Sequence, residues 1–322
     1  MVADTSKEED QSMAMMHLQL QRSLKWLDDV TNGILGYELE SRSLAGLQVI
    51  EARTGFLRCN FIVPLLASDI NGNWHVGAIA TIIDNVGGAA IYSTSHYLKV
   101  TVNFNITYYS TAKIQDEVEI EAKVKGNKGK LTSIAVEVRN KSNVPLSGRL
   151  LMTIDHLNLN LELSFENGPD DKPTLEPLLE WFEALIDGTI GQELETRALQ
   201  GLIITKAEKG FTRTEFTVPS LAADVDGNWH GGAIATLMDT VGAIAIYSVF
   251  NHAAKSVDFS ISYYSTAKIE EEVEINAKVL GNKGKLIQVM IEIRRKGNGD
   301  LIALGKQWMA LSDFTGPTVS KL

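Results

Sequence analysis

Two long stretches of small and aliphatic residues dominate the pattern of apolar and polar positions in this chain. The first covers residues 75–92 and the second covers residues 230–247. In each, apolar side chains face every direction for about four turns, which predicts a helix that is buried all round. One carboxylate interrupts each helix, Asp84 in the first and Asp239 in the second. An ionised group in such surroundings is costly unless it is paired, so both positions are candidates for chemistry.

The other segments of the first half predict one more helix and several strands. Helical spacing of apolar residues predicts a helix over residues 24–37, and alternation predicts a strand pair over 47–63, bent at Thr54-Gly55. Residues 1–20 are expected to form a flexible polar lead-in. Later strands are expected at residues 100–109, 117–124, 131–138 and 150–157, with a hairpin turn at 126–130.

The second half of the chain repeats the first half. Four residues recur 155 positions later: Trp26, His75, Asp84 and Tyr108 return as Trp181, His230, Asp239 and Tyr263. Self-similarity over a domain-sized period indicates two copies of one fold. The expected boundaries are a lead-in (1–20), a first domain (21–162), a linker (163–175), a second domain (176–316) and a tail (317–322). Each copy is predicted to be an α+β unit, in which a curved antiparallel sheet wraps around one long central helix.

Composition and charge exclude several classes of protein. A net charge of −10 argues against a general nucleic-acid binder. The single cysteine, Cys59, excludes an internal disulfide and fits a reducing compartment, and because Thr214 stands at the equivalent position we interpret Cys59 as a packing residue. No His or Cys cluster has the spacing of a metal site, so no metal is expected. No apolar run is expected to reach the roughly eighteen residues of a membrane span.

The last three residues match a known targeting signal. Ser320-Lys321-Leu322 is the tripeptide that the peroxisomal import receptor reads at a C-terminus. The turn-like Gly316-Pro317 just before it would leave the tripeptide exposed. We therefore expect the import receptor to be a partner and the peroxisome to be the location; without the signal, the expected location is the cytoplasm.

The spacing of His and Asp within each buried helix separates the two side chains. Asp84 follows His75 by nine residues, as Asp239 follows His230. Nine helical residues correspond to a rotation of about 180° and a rise of roughly 13 Å, so the two side chains cannot easily serve one site. Each Asp must therefore work with the start of another helix, and the second copy in the same chain supplies one.

The second copy of the helix carries the clearest family resemblance. Residues 230–239 read His-Gly-Gly-Ala-Ile-Ala-Thr-Leu-Met-Asp, and Ser256-Val257-Asp258 and the segment 263–267 follow downstream. This combination resembles the small hotdog-fold acyl-CoA thioesterases of the PaaI-like type. The resemblance implies a tandem, or double, hotdog fold. It also implies hydrolysis of acyl-CoA to a free acid and CoA, without a cofactor.

The resemblance implies two composite sites, each with a carboxylate and a hydroxyl from one repeat and a helix start from the other. The first composite site combines Asp84 and Thr101 with His230 and Gly231, and the second combines Asp239 and Ser256 with His75 and Val76. In each site the backbone N–H of Gly231 or Val76 would polarise the thioester carbonyl. The Asp would act as general base on a water that the hydroxyl helps to orient. For the two His residues, fixing the turn through backbone hydrogen bonds is favoured over proton transfer.

Two departures from the family pattern affect these expectations. Val76 stands where the motif has its first Gly, and its β-branched side chain narrows the approach and disfavours a positive φ. Family members carry Asn six residues before the His, whereas this chain has Asp69 and Asp224, and an ionised Asp cannot donate. Either these residues have another role, or Asn73 and Asn228 substitute, or activity is weak. The site with the Gly is expected to be the better catalyst.

The phosphates of CoA require local positive charge on this acidic chain. The candidates lie on the Gly-containing hairpin loops of the two copies: Lys128, Lys130, Lys283 and Lys285. The alternative interpretation is that these are charged turns that favour solubility.

Two other functions and one assembly remain open. The first alternative function is a non-catalytic acyl-CoA-binding module. The second is a hotdog enoyl-CoA hydratase, which ranks last because such an enzyme has a His five residues after the Asp, where this chain has Ala89 and Ile244. Fold analogy adds the expectation of a homodimer of double hotdogs.

Overall fold

The structure of this chain is a computed structural model, which describes residues 5–36, 38–69, 71–141, 176–189 and 193–311. Three predicted features fall outside these ranges. They are the strand expected at 150–157, the linker expected at 163–175 and the tail with Ser320-Lys321-Leu322.

The first repeat forms three helices and five strands in the described ranges. In chain order they are α1 (Thr5–Thr31), α2 (Glu38–Leu44), β1 (Gln48–Arg53), β2 (Phe56–Ile62), α3 (Val76–Tyr92), β3 (Asn103–Thr107), β4 (Glu117–Lys128) and β5 (Leu131–Asn140). The strand pair predicted over 47–63 and the buried helix are confirmed. The strand predicted over 100–109 is shorter than expected.

The expectation of a flexible lead-in over residues 1–20 is wrong for residues 5–20. These residues belong to α1, which also ends at Thr31 rather than at residue 37. The physical reason is that residues 13–20 are mostly Met, Leu, Gln and Ala, which favour helix and extend the turns anchored by the buried Leu27 and Val30. The helix ends before Gly33, whose φ of 69° is left-handed.

The second repeat follows the same order. Its elements are α4 (Glu176–Ile186), α5 (Glu193–Leu199), β6 (Ile203–Glu208), β7 (Phe211–Thr217), α6 (Gly231–Phe250), β8 (Ala254–Tyr263), β9 (Glu272–Lys283), β10 (Leu286–Arg295) and β11 (Leu301–Leu311). The α4 helix corresponds to the end of α1, and α6 corresponds to α3. The predicted duplication of one α+β unit is therefore confirmed.

Two antiparallel sheets surround the central helices. One has the strand order β1-β2-β4-β5, and the other has the order β3-β8-β11-β10-β9-β7-β6. The second sheet contains strands from both repeats, because β3 of the first repeat pairs with β8 of the second. In this register Phe104 lies opposite Ile261. Side chains alternate between buried and partly exposed along the central strands, as expected for a sheet that covers a helix on one face. The chain is a tandem hotdog.

The two central helices run antiparallel and in close contact. A Cβ on Gly77 would lie 3.0 Å from the Cα of Thr236, and one on Gly232 would lie 2.8 Å from the Cα of Thr81. Residue numbers thus rise along one helix as they fall along the other. Asp84, one turn beyond Thr81, consequently lies at the start of α6. The same geometry directs Asp239 towards the start of α3.

One expectation about membranes needs correction. Within the described ranges, α6 is long and apolar enough to span a membrane by length and composition. Asp239 is its only charged residue, so it does not prevent the helix from meeting that criterion. However, 72% of its most apolar window is buried inside the protein, as for the core helix of a hotdog unit.

Candidate active site

Both central helices begin with a His that caps the helix with its side chain. His75 and His230 have extended backbone, and each Nδ1 accepts a hydrogen bond at 3.0 Å, from Gly77 N–H and Gly232 N–H respectively. The cap satisfies one of the amides that lack a partner inside a helix. These hydrogen bonds agree with the interpretation of the two residues as turn-fixing. In the capping form the ring proton lies on Nε2.

Asp69 and Asp224 shape the loops that lead into the helices. Asp69 Oδ1 accepts from the backbone N–H groups of Asn71 and Asn73 at 2.8 and 2.9 Å, and Asp69 Oδ2 accepts from Asn73 Nδ2 at 3.0 Å. Asp224 makes the equivalent bonds, including one from Asn228 Nδ2 at 3.2 Å. Of the alternatives stated above, the role of a loop organiser fits these contacts. The same contacts engage the amide nitrogens of Asn73 and Asn228.

The structure brings the four residues of the first composite site together across the two repeats. Asp84 Oδ1 accepts a hydrogen bond from Thr101 Oγ1 at 2.5 Å. Asp84 Oδ2 lies 3.9 Å from His230 Nε2, and a Cβ on Gly231 would lie 3.6 Å from the same oxygen. The Asp84 side chain is 20% exposed. The carboxylate therefore reaches the helix start of the other repeat while solvent or a ligand can still approach it.

A buried glutamate that the sequence did not single out joins this site. Glu40 lies on α2, and its Oε1 is 3.2 Å from His230 Nε2, so the ring N–H can donate to it. Its other oxygen is buried and has no hydrogen-bond partner in the described part of the chain. The residue at the repeat spacing is Glu195 on α5. This repetition of an acidic residue in a short helix is the signal that could have identified Glu40.

Burial and neighbouring charges shift the pKa values of the acidic and basic groups of this site. Burial raises the pKa of Asp84; His230 and the hydrogen bond from Thr101 oppose this effect, and Glu40 adds to it. For His230, burial lowers the pKa, but the charges of Glu40 and Asp84 outweigh burial and raise the pKa to about 9. A proton on Nδ1 would break the hydrogen bond from Gly232 N–H, so the cap forms only with the neutral ring.

Tyr263 is a second residue that the site includes and that sequence reasoning treated only as a marker of the repeat. Its hydroxyl donates to the carbonyl oxygen of Gly231 at 3.0 Å. Burial, and then the charge of Asp84, raise the pKa of Tyr263, so the hydroxyl stays protonated and remains a donor. Tyr263 thus holds the first turn of α6 in place beside Asp84.

The second composite site differs from the first in its contacts. Asp239 Oδ1 accepts from Ser256 Oγ, which matches the pair of Asp84 and Thr101, but it also accepts from the side-chain amide of Gln307. The hydroxyl of Tyr108, the counterpart of Tyr263, is buried without a hydrogen-bond partner among the described residues. Val76 does not have a positive φ, so its backbone is unstrained and only the size of its side chain distinguishes it from Gly231.

The four lysines proposed for the CoA phosphates are exposed at the two hairpin turns. The sheet register sets Ser256 opposite Met309, Met309 opposite Ile287 and Ile287 opposite Asn282. Lys283 therefore lies at the same end of the sheet as Ser256, three strand spacings or roughly 14 Å away, and Lys285 lies in the turn that spans the third of these spacings. In the first repeat, Lys99 Nζ donates to Thr132 Oγ1, which ties the segment before Thr101 to the hairpin with Lys128 and Lys130.

The one cysteine is not exposed to substrate. Cys59 lies on β2 and is fully buried in the core. Burial raises the pKa of its thiol to about 12, so the reactive thiolate is disfavoured. These observations agree with its interpretation as a packing residue.

Glu40→Gln is expected to lower the pKa of His230 from about 9. The substitution removes the closest negative charge while burial, which also lowers the pKa, remains. Titration of the imidazole by NMR measures the change. The matched control is Glu38→Gln on the same helix, because Glu38 pairs with Arg42 and Arg197 instead. An unchanged His230 pKa in Glu40→Gln would contradict the contact described here.

Comparison with known proteins identifies the family. Two segments, residues 71–146 and 226–302, match the sequence profile of the Thioesterase superfamily. The human protein named acyl-coenzyme A thioesterase 13 is 32% identical over 111 residues, which are 34% of this chain and 79% of the relative. A putative esterase of Caenorhabditis elegans is 29% identical over 140 residues, which are 43% of this chain and 83% of the relative. The crystal structure of zebra fish thioesterase superfamily member 2 is 31% identical, covers 43% of this chain and 99% of its own, and superposes with a TM-score of 0.40.

The chain belongs to the thioesterase superfamily. It carries the family domain twice, once in each hotdog unit, and Asp84 of the first unit lies 3.9 Å from His230 of the second.

Proposed function

We propose that this protein hydrolyses the thioester of acyl-CoA to a free acid and CoA, and that the first composite site performs the reaction. The observation that supports this most is the position of Asp84. It is a largely buried carboxylate with a raised pKa, held by Thr101 and set beside the start of a helix from the other repeat. The names of the relatives support acyl-CoA as the substrate class.

The proposed reaction uses one water and no covalent intermediate. Gly231 is the first residue of α6, where a backbone N–H has no partner within the helix, so this N–H can bind the thioester oxygen as it gains negative charge. Asp84 removes a proton from a water that Thr101 helps to orient, and the water oxygen bonds to the carbonyl carbon. The carbon–sulfur bond then breaks, and Asp84 returns the proton to the leaving CoA sulfur.

The lysines of the hairpins are proposed to bind the CoA phosphates. Lys128 and Lys130 lie on the hairpin that Lys99 connects to the segment before Thr101. An exposed cluster of positive charge at this position on an acidic protein would attract a polyanion to the first composite site. Lys283 and Lys285 would have the same role in the second repeat.

A series of acyl-CoA thioesters of increasing chain length tests the proposed function. Release of free CoA thiol above the uncatalysed rate is the expected result, and the length dependence gives the acyl preference. Binding of the thioesters without thiol release would instead support the acyl-CoA-binding module. With an enoyl-CoA as the substrate, loss of the enoyl absorbance without thiol release would support the hydratase.

We further propose that Ser320-Lys321-Leu322 directs the protein to the peroxisome. A fluorescent protein fused to the N-terminus is expected to co-localise with a peroxisomal marker, and deletion of Leu322 is expected to leave the fusion diffuse. Co-localisation that survives the deletion, or a diffuse full-length fusion, would contradict the proposal.

A further inference from the structure

Gln307 occupies a position in the second composite site for which the described residues of the first site show no equivalent. It lies on β11 and is fully buried. Its side-chain nitrogen donates to Asp239 Oδ1 and, at 2.8 Å, to Ser256 Oγ. In the proposed reaction, the attacking water contacts both the carboxylate and the hydroxyl. The amide nitrogen of Gln307 makes the hydrogen bonds that such a water would make.

Among the described residues, the first composite site has no such amide. Thr101 donates to Asp84, and none of the described side chains donates to Thr101 Oγ1 in the way that Gln307 donates to Ser256 Oγ. At the repeat spacing the counterpart of Gln307 is Met152, and if Gly148 is matched to Gly305 the counterpart is Leu150. Both are apolar and neither can donate a hydrogen bond. In the described part of the chain, a side-chain amide therefore faces the carboxylate only in the second site.

The contacts of Gln307 also indicate more than packing. Its side-chain oxygen is buried without a hydrogen-bond partner among the described residues, which costs stability that an apolar residue would not lose. In addition, the amide donates to Asp239 Oδ1, the same oxygen that accepts from Ser256 Oγ. The position of the Gln307 amide and its hydrogen bonds therefore both oppose the binding of a water beside Asp239.

We propose that Gln307 inactivates the second composite site for hydrolysis by occupying the position of the attacking water, with Val76 narrowing the approach of the thioester. This proposal rests on the proposed function. It assigns a role to a residue 68 positions beyond Asp239, on a strand that carries no residue of the family motif. Every turnover of the intact protein is then assigned to Asp84.

Activity at the second site should return when both obstacles are removed. The test starts from Asp84→Asn, which disables the first site, and adds Val76→Gly and Gln307→Met, the latter of similar length to Gln. The triple variant is expected to regain at least about tenfold in thiol release over Asp84→Asn, because a positioned general base contributes about 10²- to 10⁴-fold. Adding Asp239→Asn is expected to remove the regained activity.

The outcomes separate this proposal from the proposed function. Absence of thiol release by the wild type would overturn the proposed function. With an active wild type, retention of about half its activity by Asp84→Asn would overturn the role of Gln307, since the second site would already be active. The role would also be overturned if a folded triple variant stayed at the level of Asp84→Asn. Gln307→Leu replaces Gln307→Met if the latter fails to fold, as judged by circular dichroism.

Discussion

Asp84→Asn is expected to lower kcat for acyl-CoA hydrolysis by about 10²- to 10⁴-fold, the usual contribution of a positioned general base. Asn has the same shape and can still accept the hydrogen bond from Thr101, so the fold and the helix start should be kept. Asp239→Asn, the matched variant in the other repeat, is expected to lower kcat by less than about twofold because that site already lacks its water. Thiol release at saturating substrate measures both.

The pH dependence gives an independent check on the same residue. Asp84 acts as a base only when ionised, so turnover should fall as the pH decreases through its pKa. Because burial raises that pKa above the ordinary value, the fall should begin at a higher pH than for an exposed carboxylate.

For the two variants, a larger loss of kcat from Asp239→Asn than from Asp84→Asn would show that the sites have been assigned in the wrong order.

Gly77→Ala is expected to lower the free energy of unfolding by about 3 kcal/mol, the upper part of the range for overpacking a core. The added methyl group would lie 3.0 Å from the Cα of Thr236, a backbone atom that cannot move without separating α3 from α6. The matched control is Gly88→Ala in the same helix, where the nearest atom is a Trp26 ring carbon at 3.8 Å. The control is expected to be neutral or to gain up to about 1 kcal/mol from helix propensity.

Denaturant unfolding of the two variants measures this difference directly. Equal stabilities would mean that the central helices are farther apart than described here. In that case the distance between Asp84 and His230 would no longer be supported. The same experiment therefore tests the packing on which the proposed site depends.

The sequence was sufficient to predict the repeat and the buried helices, and the contact between Asp84 and His230 agrees with the predicted sharing of sites between repeats. The prediction of sharing followed from a single spacing, because nine helical residues between His75 and Asp84 turn the side chains to opposite sides. The close approach at Gly77 and Gly232 is how the fold meets that requirement. Local spacing is informative here since both residues lie on one rigid helix.

The remaining members of the sites could not be predicted from local patterns. Tyr263 reaches Gly231 from 32 positions away, and Gln307 reaches Asp239 from 68 positions away, through the register of the strands that cover α6. Glu40 reaches His230 from the opposite repeat. Sheet register and contacts between repeats are set by the whole fold, so no single segment reveals them.

The loop residues show a different kind of limit. Asp69 and Asp224 were expected to matter because they differ from the family pattern, but the structure assigns their oxygens to the loop backbone. At Val76 the φ is the ordinary one of a first helical residue, so the β-branched side chain causes no backbone strain there. In both cases the role of the residue depends on the local backbone conformation, which the residue type alone does not predict.

Covalent joining of the two hotdog units has a consequence for how such a protein can change. In an assembly of identical subunits, one substitution alters every copy of a site at once, and a harmful change to the base or its water abolishes all activity. Here the positions equivalent to Val76 and Gln307 in the other repeat carry different residues. One of the two symmetry-related sites can therefore be altered while the other is kept. The duplicated gene thus relieves the second position of selection for turnover and leaves it open to acquire a separate role.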